Sequence, residues 1–189
     1  MSSIDDLIAS LKSLDGFAIL ERGITALENN DFERASYIAD YLTTRKKTKF
    51  HSYLVSIMMS EFNCEPISFL SLAREVSKKY VPHTRGTHKV YVILLDYSDT
   101  RYGLYVGQTS RKVEDRFKQH LSGGKLSAKC HKKMKCLLPS LYSHLPPMTR
   151  KESLEIEEAL ANEFRGLGDR KSTRLNSSHP SRSRMPSSA

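Results

Sequence analysis

The 189-residue sequence has no tryptophan and only three cysteines, Cys64, Cys130 and Cys136. Three scattered thiols cannot build the disulfide framework of a small secreted scaffold, and they point to a reducing, cytoplasmic setting. A compact zinc module from Cys130, His131, Cys136 and His144 is disfavoured because the cysteines lack the short knuckle spacing. No segment reaches the roughly 18 consecutive apolar residues of a membrane span, so no membrane association is expected. The first ten residues carry Asp5 and Asp6 and no basic stretch ahead of an apolar one, which is not the pattern of a secretory signal. Within residues 1–40 basic side chains are scarce, with three Lys/Arg against eight Asp/Glu.

A hydrophobic content of 39% is enough for a core, and the length suits one domain with an appendage or two small domains. The net charge of +9 depends on an unusual tail. Residues 169–179 (DRKSTRLNSSH) back-translate, codon for codon, to the index-read adapter of a short-read sequencing library. Residues 183–189 (SRMPSSA) fit the adapter beyond the barcode, and residues 180–182 would be the barcode. The natural sequence is therefore expected to stop near Gly168, leaving 169–189 as a non-native tail; the alternative is an ordinary Ser/Arg-rich disordered tail. That tail holds five Lys/Arg and one Asp, so without it the net charge falls to +5. The remaining positive charge concentrates in residues 101–135, with ten Lys/Arg against two acids. Such a patch attracts a polyanion, although a solvated Lys-rich face would look the same.

Residues 1–80 read as a helical bundle of four or five helices. Ile4, Leu7, Ile8, Leu11 and Leu14 recur at helical spacing behind the cap Ser3. Phe17, Leu20, Ile24 and Leu27 continue the pattern. Asn29, Asn30 and Asp31 make a turn before a helix carrying Phe32, Ala35, Ile38, Ala39 and Leu42. No catalytic constellation falls here, so support, dimerisation or binding of a protein partner is the expected role. Residues 81–88 read as a linker. The run VYVILL at 90–95 and the segment 104–107 make a hairpin across a polar loop. Thr109 or Ser110 would cap a helix to about Leu121, with Val113, Phe117 and Leu121 facing inward. Thr149-Arg150-Lys151-Glu152 is a capping box opening a helix to about Arg165.

Five residues in this second region carry chemistry. Arg116 and His120 are four apart on one helix and project side by side, one a fork of donors suited to phosphate, the other able to move a proton near neutral pH. Glu157 falls inside the apolar stripe formed by Leu154, Ile156, Leu160, Ala161 and Phe164, where a carboxylate needs a cation or a buried arginine. A carboxylate oxygen suits Mg²⁺ or Mn²⁺. Tyr91 and Tyr105 lie on neighbouring strands, where tyrosines are most often core aromatics.

Taken in order, Lys89-Val90-Tyr91, Tyr105-Val106-Gly107, Arg116 with His120, and Glu157 resemble the GIY-YIG endonuclease family over about residues 90–168. The first triplet departs from the family pattern, with Lys-Val in place of Gly-Ile. The resemblance implies an α/β (α+β) fold: an N-terminal helical bundle followed, over residues 89–168, by a compact domain whose small central antiparallel sheet of about three strands is flanked by helices. It also implies a metal-dependent DNA endonuclease. Tyr91 would be the general base toward water, with His120 helping to take its proton. Arg116 would stabilise transition-state charge, Tyr105 would orient substrate or water, and Glu157 would hold Mg²⁺ or Mn²⁺. Nearby positive charge would have to favour the Tyr91 phenolate, because a free tyrosine has a pKa of about 10. Gly107, Lys125, Lys129, Lys132, Lys133 and Lys135 would contact the nucleic acid, the lysines through its backbone without reading sequence. The competing expectation is a non-catalytic nucleic-acid-binding or scaffold protein that retains the fold.

Overall fold

A computed structural model describes residues 3–97, 102–124, 127–168 and 174–177 of the chain. The chain forms two compact units, Met1–Lys79 and Tyr80–Ala189.

The first unit holds five helices: α1 (Ile4–Leu11), α2 (Gly16–Glu28), α3 (Phe32–Thr44), α4 (Thr48–Ser60) and α5 (Leu70–Ser77). Ser3 and Asp6 close a reciprocal capping box at the start of α1, and the side chains of Asp15 and Asp31 cap α2 and α3. The α2 and α3 helices end in left-handed residues, Asn30 (φ 56°) and Lys46 (φ 55°). In each case the two amides beyond the cap bond back into the last turn: Asn30 to Leu27 and Asp31 to Ala26, then Lys46 to Thr43 and Lys47 to Leu42.

The inward face of α2 is only partly the expected one. Leu20 and Leu27 are buried as expected and Ile24 is half-buried, but Phe17 is 59% exposed, and Gly16, Ile19, Gly23 and Ala26 complete the buried face. The two glycines explain the shift. A Cβ on Gly16 would lie 2.4 Å from the Phe50 ring, and one on Gly23 would lie 2.8 Å from Leu54. The face chosen is therefore the one that lets α2 approach α4 closely, and glycine contributes to it by being small.

The second unit is built on a sheet. Strands β1 (Lys89–Asp96) and β2 (Tyr102–Thr109) pair antiparallel along their whole length, from Lys89 opposite Thr109 to Asp96 opposite Tyr102. The hairpin thus extends beyond both segments read from the sequence, because main-chain pairing continues past the apolar residues. Strand β3 (Met134–Leu137) adds antiparallel to β1, with a register shift between Leu94 and Leu95. A fourth strand, β4 (Arg174–Ser177), lies parallel to β2, giving the order β3-β1-β2-β4. This last strand falls within the segment expected to be non-native. Its pairing is main-chain bonding to the edge of β2, which an extended segment of almost any sequence can supply.

Helix α6 (Val113–Leu121) follows the hairpin and α7 (Arg150–Gly168) closes the unit, its sheet contacts chiefly with β2. The architecture is α+β, with helices around a small antiparallel sheet. Tyr91, Ile93, Leu95 and Tyr105 from one face of the hairpin pack with Val113, Cys130 and Met134, and Phe117 lies against this cluster.

Two expected caps are corrected. Thr109 does not cap α6. Its Oγ1 accepts the Arg111 amide at 3.0 Å and closes a turn, while the N-cap position is Lys112, which makes no side-chain cap. At α7, Thr149 Oγ1 faces the Glu152 amide at 3.4 Å, but the Glu152 carboxylate turns away from the helix. It accepts the His83 and Thr84 amides at 2.6 and 3.0 Å. These bonds, with the His88–Met148 pairing at 3.0 and 2.8 Å, stitch residues 83–88 to the segment that leads into α7.

Candidate active site

The β1–β2 register sets Tyr91 directly across from Gly107. Without a side chain at 107 the Tyr91 ring can lie over the backbone of β2. A Cβ there would stand 2.6 Å from Tyr91 Cζ and Oη and 2.9 Å from Tyr105 Cε1. Tyr105, two residues before Gly107 on the same face, brings its ring to 6.2 Å from that of Tyr91.

Helix α6 closes the cluster with His120, which is fully buried. Its inward residues are Val113, Phe117 and His120, spaced by four and then three, whereas Leu121, expected to face inward, is 50% exposed. The histidine occupies the core-facing position that an aliphatic residue would normally fill. His120 Nε2 lies 2.8 Å from Tyr91 Oη, and its Nδ1 accepts the Ala128 amide at 3.0 Å. The Tyr105 ring stands edge-on to the imidazole, with centroids 5.5 Å apart. Arg116, one turn earlier, donates from Nη1 to Gln119 Oε1 at 2.5 Å and also reaches Tyr91.

Burial dominates the electrostatics. It pushes the Tyr91 phenol above the ordinary tyrosine value, and neighbouring Tyr105 adds to the rise. Arg116 pulls the other way without prevailing. The positive charge that a Tyr91 base requires is present in Arg116, but in the protein alone desolvation outweighs one guanidinium. For His120, burial first and then Arg116 and His131 lower the imidazole to about 4, so it is neutral near pH 7.

Glu157 lies on the buried face of α7. It is 3% exposed, among the buried residues Ser153, Ile156, Leu160, Ala161 and Phe164. The inward carboxylate read from the sequence is therefore present. Its Oε2 atom accepts no hydrogen bond among the described residues, although the residue as a whole does interact with its surroundings.

Residues 88–170 match the GIY-YIG catalytic domain. The chain matches no curated protein and no solved structure. The matched segment spans the hairpin, α6, β3 and α7. The GIY-YIG match supports a nuclease-type function with DNA as the class of substrate, and GIY-YIG nucleases generally use divalent metals. Among the described residues no group of three or more His, Cys, Asp or Glu could enclose a metal ion. No described helix is long and apolar enough to cross a membrane.

The remaining residues singled out in the GIY-YIG segment separate into distinct environments. Gly107 is buried beneath two tyrosine rings and serves to make room for them. Lys129, Lys132 and Lys133 are exposed, Lys133 with its ammonium 4.0 Å from the centre of the Tyr97 ring. Lys135 is half-buried on β3 and bonds Asp96 at 2.9 Å, so its charge already has a partner. Lys125 lies outside the described residues. Two contributors escaped the sequence reading, Gln119 on Arg116 and the Ala128 amide on His120. Gln119 follows Arg116 at the i,i+3 spacing that could have revealed it. A backbone amide leaves no trace in residue identity.

Proposed function

We propose that the chain is a metal-dependent DNA endonuclease that hydrolyses phosphodiester bonds. The observation that carries this reading is the hydrogen bond between Tyr91 and His120, buried with Tyr105 and flanked by half-buried Arg116, in a segment matching the GIY-YIG catalytic domain. Tyr91 is the general base toward the attacking water. Arg116 balances charge gathering on the phosphate, and Tyr105 orients substrate or water. Glu157 is the protein ligand for Mg²⁺ or Mn²⁺. Its hard carboxylate oxygen, buried on α7, would suit an ion of the kind that takes few protein ligands. When bound there, the ion would supply positive charge to the phosphate. Lys129, Lys132 and Lys133 hold the DNA backbone without reading its sequence. In-line hydrolysis leaves a 5′-phosphate and a 3′-hydroxyl.

Plasmid nicking tests this directly. The protein with Mg²⁺ is expected to convert supercoiled DNA to nicked circles, and Glu157→Gln to slow that by about 100-fold or more. A folded wild-type protein that cuts nothing overturns the proposal, and equal cutting by Glu157→Gln overturns the metal assignment. The raised phenol of Tyr91 favours one second reading, a nucleic-acid-binding protein that keeps the fold without catalysis. Retention of DNA binding with no cleavage in Mg²⁺ or Mn²⁺ would select it.

A further inference from the structure

We infer that the backbone N–H of Ala128 fixes the tautomer of His120, making this histidine a hydrogen-bond donor to Tyr91 rather than the acceptor of its proton. An amide nitrogen can only donate. With the Ala128 amide 3.0 Å from Nδ1, that ring nitrogen must present its lone pair. The single proton of a neutral imidazole then sits on Nε2, which points at Tyr91 Oη across 2.8 Å. An imidazolium would set two N–H groups head to head at Nδ1.

The Ala128 peptide is held on both sides. The Ser127 amide donates to Gly124 O at 2.8 Å, and Ser127 Oγ donates to Gln119 O on α6 at 2.9 Å. Ala128 O accepts the His131 amide at 3.0 Å and lies 3.1 Å from His131 Nδ1. Cys130, two residues on, is buried in the cluster beneath β1 and β2. The exposed Lys129, Lys132 and Lys133 belong to this same stretch, so a single turn carries cations for the DNA backbone and the lock on the histidine.

The chemical consequence rests on the nuclease reading; the tautomer does not. Before turnover Tyr91 gives its proton to solvent. It recovers one from the attacking water, and His120 keeps its own throughout. As the Tyr91 oxygen gains negative charge, the bond from Nε2–H becomes charge-assisted and strengthens. His120 therefore stabilises the phenolate selectively, and Ala128 is a positioning residue acting through it.

The tautomer is read on the full chain by long-range ¹H–¹⁵N correlation of the histidine rings, with the His120 signals assigned by their loss in His120→Gln. The expected pattern at pH 7 is a neutral ring with Nε2 protonated and Nδ1 bare. An Nδ1-protonated or doubly protonated ring overturns the inference, whether or not the protein cuts DNA. Ala128→Pro removes the donor, and Ala128→Gly keeps it. The glycine variant is expected to retain the Nε2–H pattern. The proline variant is expected to mix the tautomers and lower kcat about 100-fold, with DNA affinity in the absence of metal unchanged. A folded proline variant with unaltered tautomer and kcat refutes the lock. If that variant does not fold, the wild-type ring pattern decides alone.

Discussion

Replacing Gly107 with alanine should damage the second unit far more than the same change at Gly124. The new Cβ would stand 2.6 Å from Tyr91 Cζ and Oη, whereas ordinary contact begins near 3.4 Å. The ring tip must therefore retreat by about 0.8 Å or the strands must part. Retreat is obstructed, because Tyr91 and His120 are both buried and joined at 2.8 Å. Overpacking a tight core costs about 1–3 kcal/mol, and disturbing a buried hydrogen bond adds about 1 kcal/mol. The sum, about 2–4 kcal/mol, corresponds to a Tm lower by roughly 10–20 °C for a unit of this size. Gly124→Ala is the control, since a Cβ there meets nothing within 4 Å among the described residues, and its stability should stay within about 0.5 kcal/mol of wild type. Thermal melts followed by near-ultraviolet circular dichroism read the tyrosine environment of the cluster. A Gly107→Ala protein melting within 2 °C of wild type, with an unchanged tyrosine spectrum, would refute the packing argument (a threshold of about half a kcal/mol).

Burial of neutral His120 makes stability depend on pH. Its folded pKa of about 4 lies below the free value of 6.5, so the unfolded chain binds more protons between those limits. The contribution is complete above pH 6.5 and is lost as pH falls toward 4, about 2–3 kcal/mol less at pH 4.5 than at 7.5. Urea titrations should show this increment in wild type and not in His120→Gln; parallel slopes would count against it. Lys46→Gly should stabilise the helical unit by about 1 kcal/mol, because a left-handed φ of 55° suits glycine better than lysine, and a melt showing no gain would contradict this. Replacing Lys129, Lys132 and Lys133 together with alanine should reduce the slope of log affinity against log salt by up to about 3, measured by DNA-binding titration. An unaltered slope would place the DNA elsewhere.

Residue identity exposed the hairpin because VYVILL is a short run, rich in β-branched residues and followed by a polar turn, which favours a buried strand over a helix. It exposed Glu157 because a carboxylate inside an apolar helical stripe contradicts its neighbours. The third strand was hidden for the opposite reason. Met134–Leu137 is short, sits in a lysine-rich stretch, and only Met134 in it is buried, so its structure comes from pairing with β1 and not from its own pattern. The misplacing of Phe17 on α2 has a related cause: glycine adds nothing to a hydrophobic count, yet Gly16 and Gly23 determine where α4 can approach. On α6 the aliphatic Leu121 appeared to belong inside, but the interior position was taken by a polar ring with partners on both nitrogens. Sequence patterns register what a side chain contributes to burial. They miss what backbone amides and missing side chains contribute.

The pairing of β4 along β2 has a consequence for anyone who shortens the chain. Removing residues beyond Gly168 would leave the outer rim of β2 over Gly103–Val106 with unanswered amides and carbonyls. Two such rims are mutually complementary, so a trimmed protein could join itself rim to rim and build a continuous sheet across two molecules. Size-exclusion chromatography across a concentration series would then report a dimer created by the truncation. A lysine placed on the rim in the trimmed protein should restore the monomer.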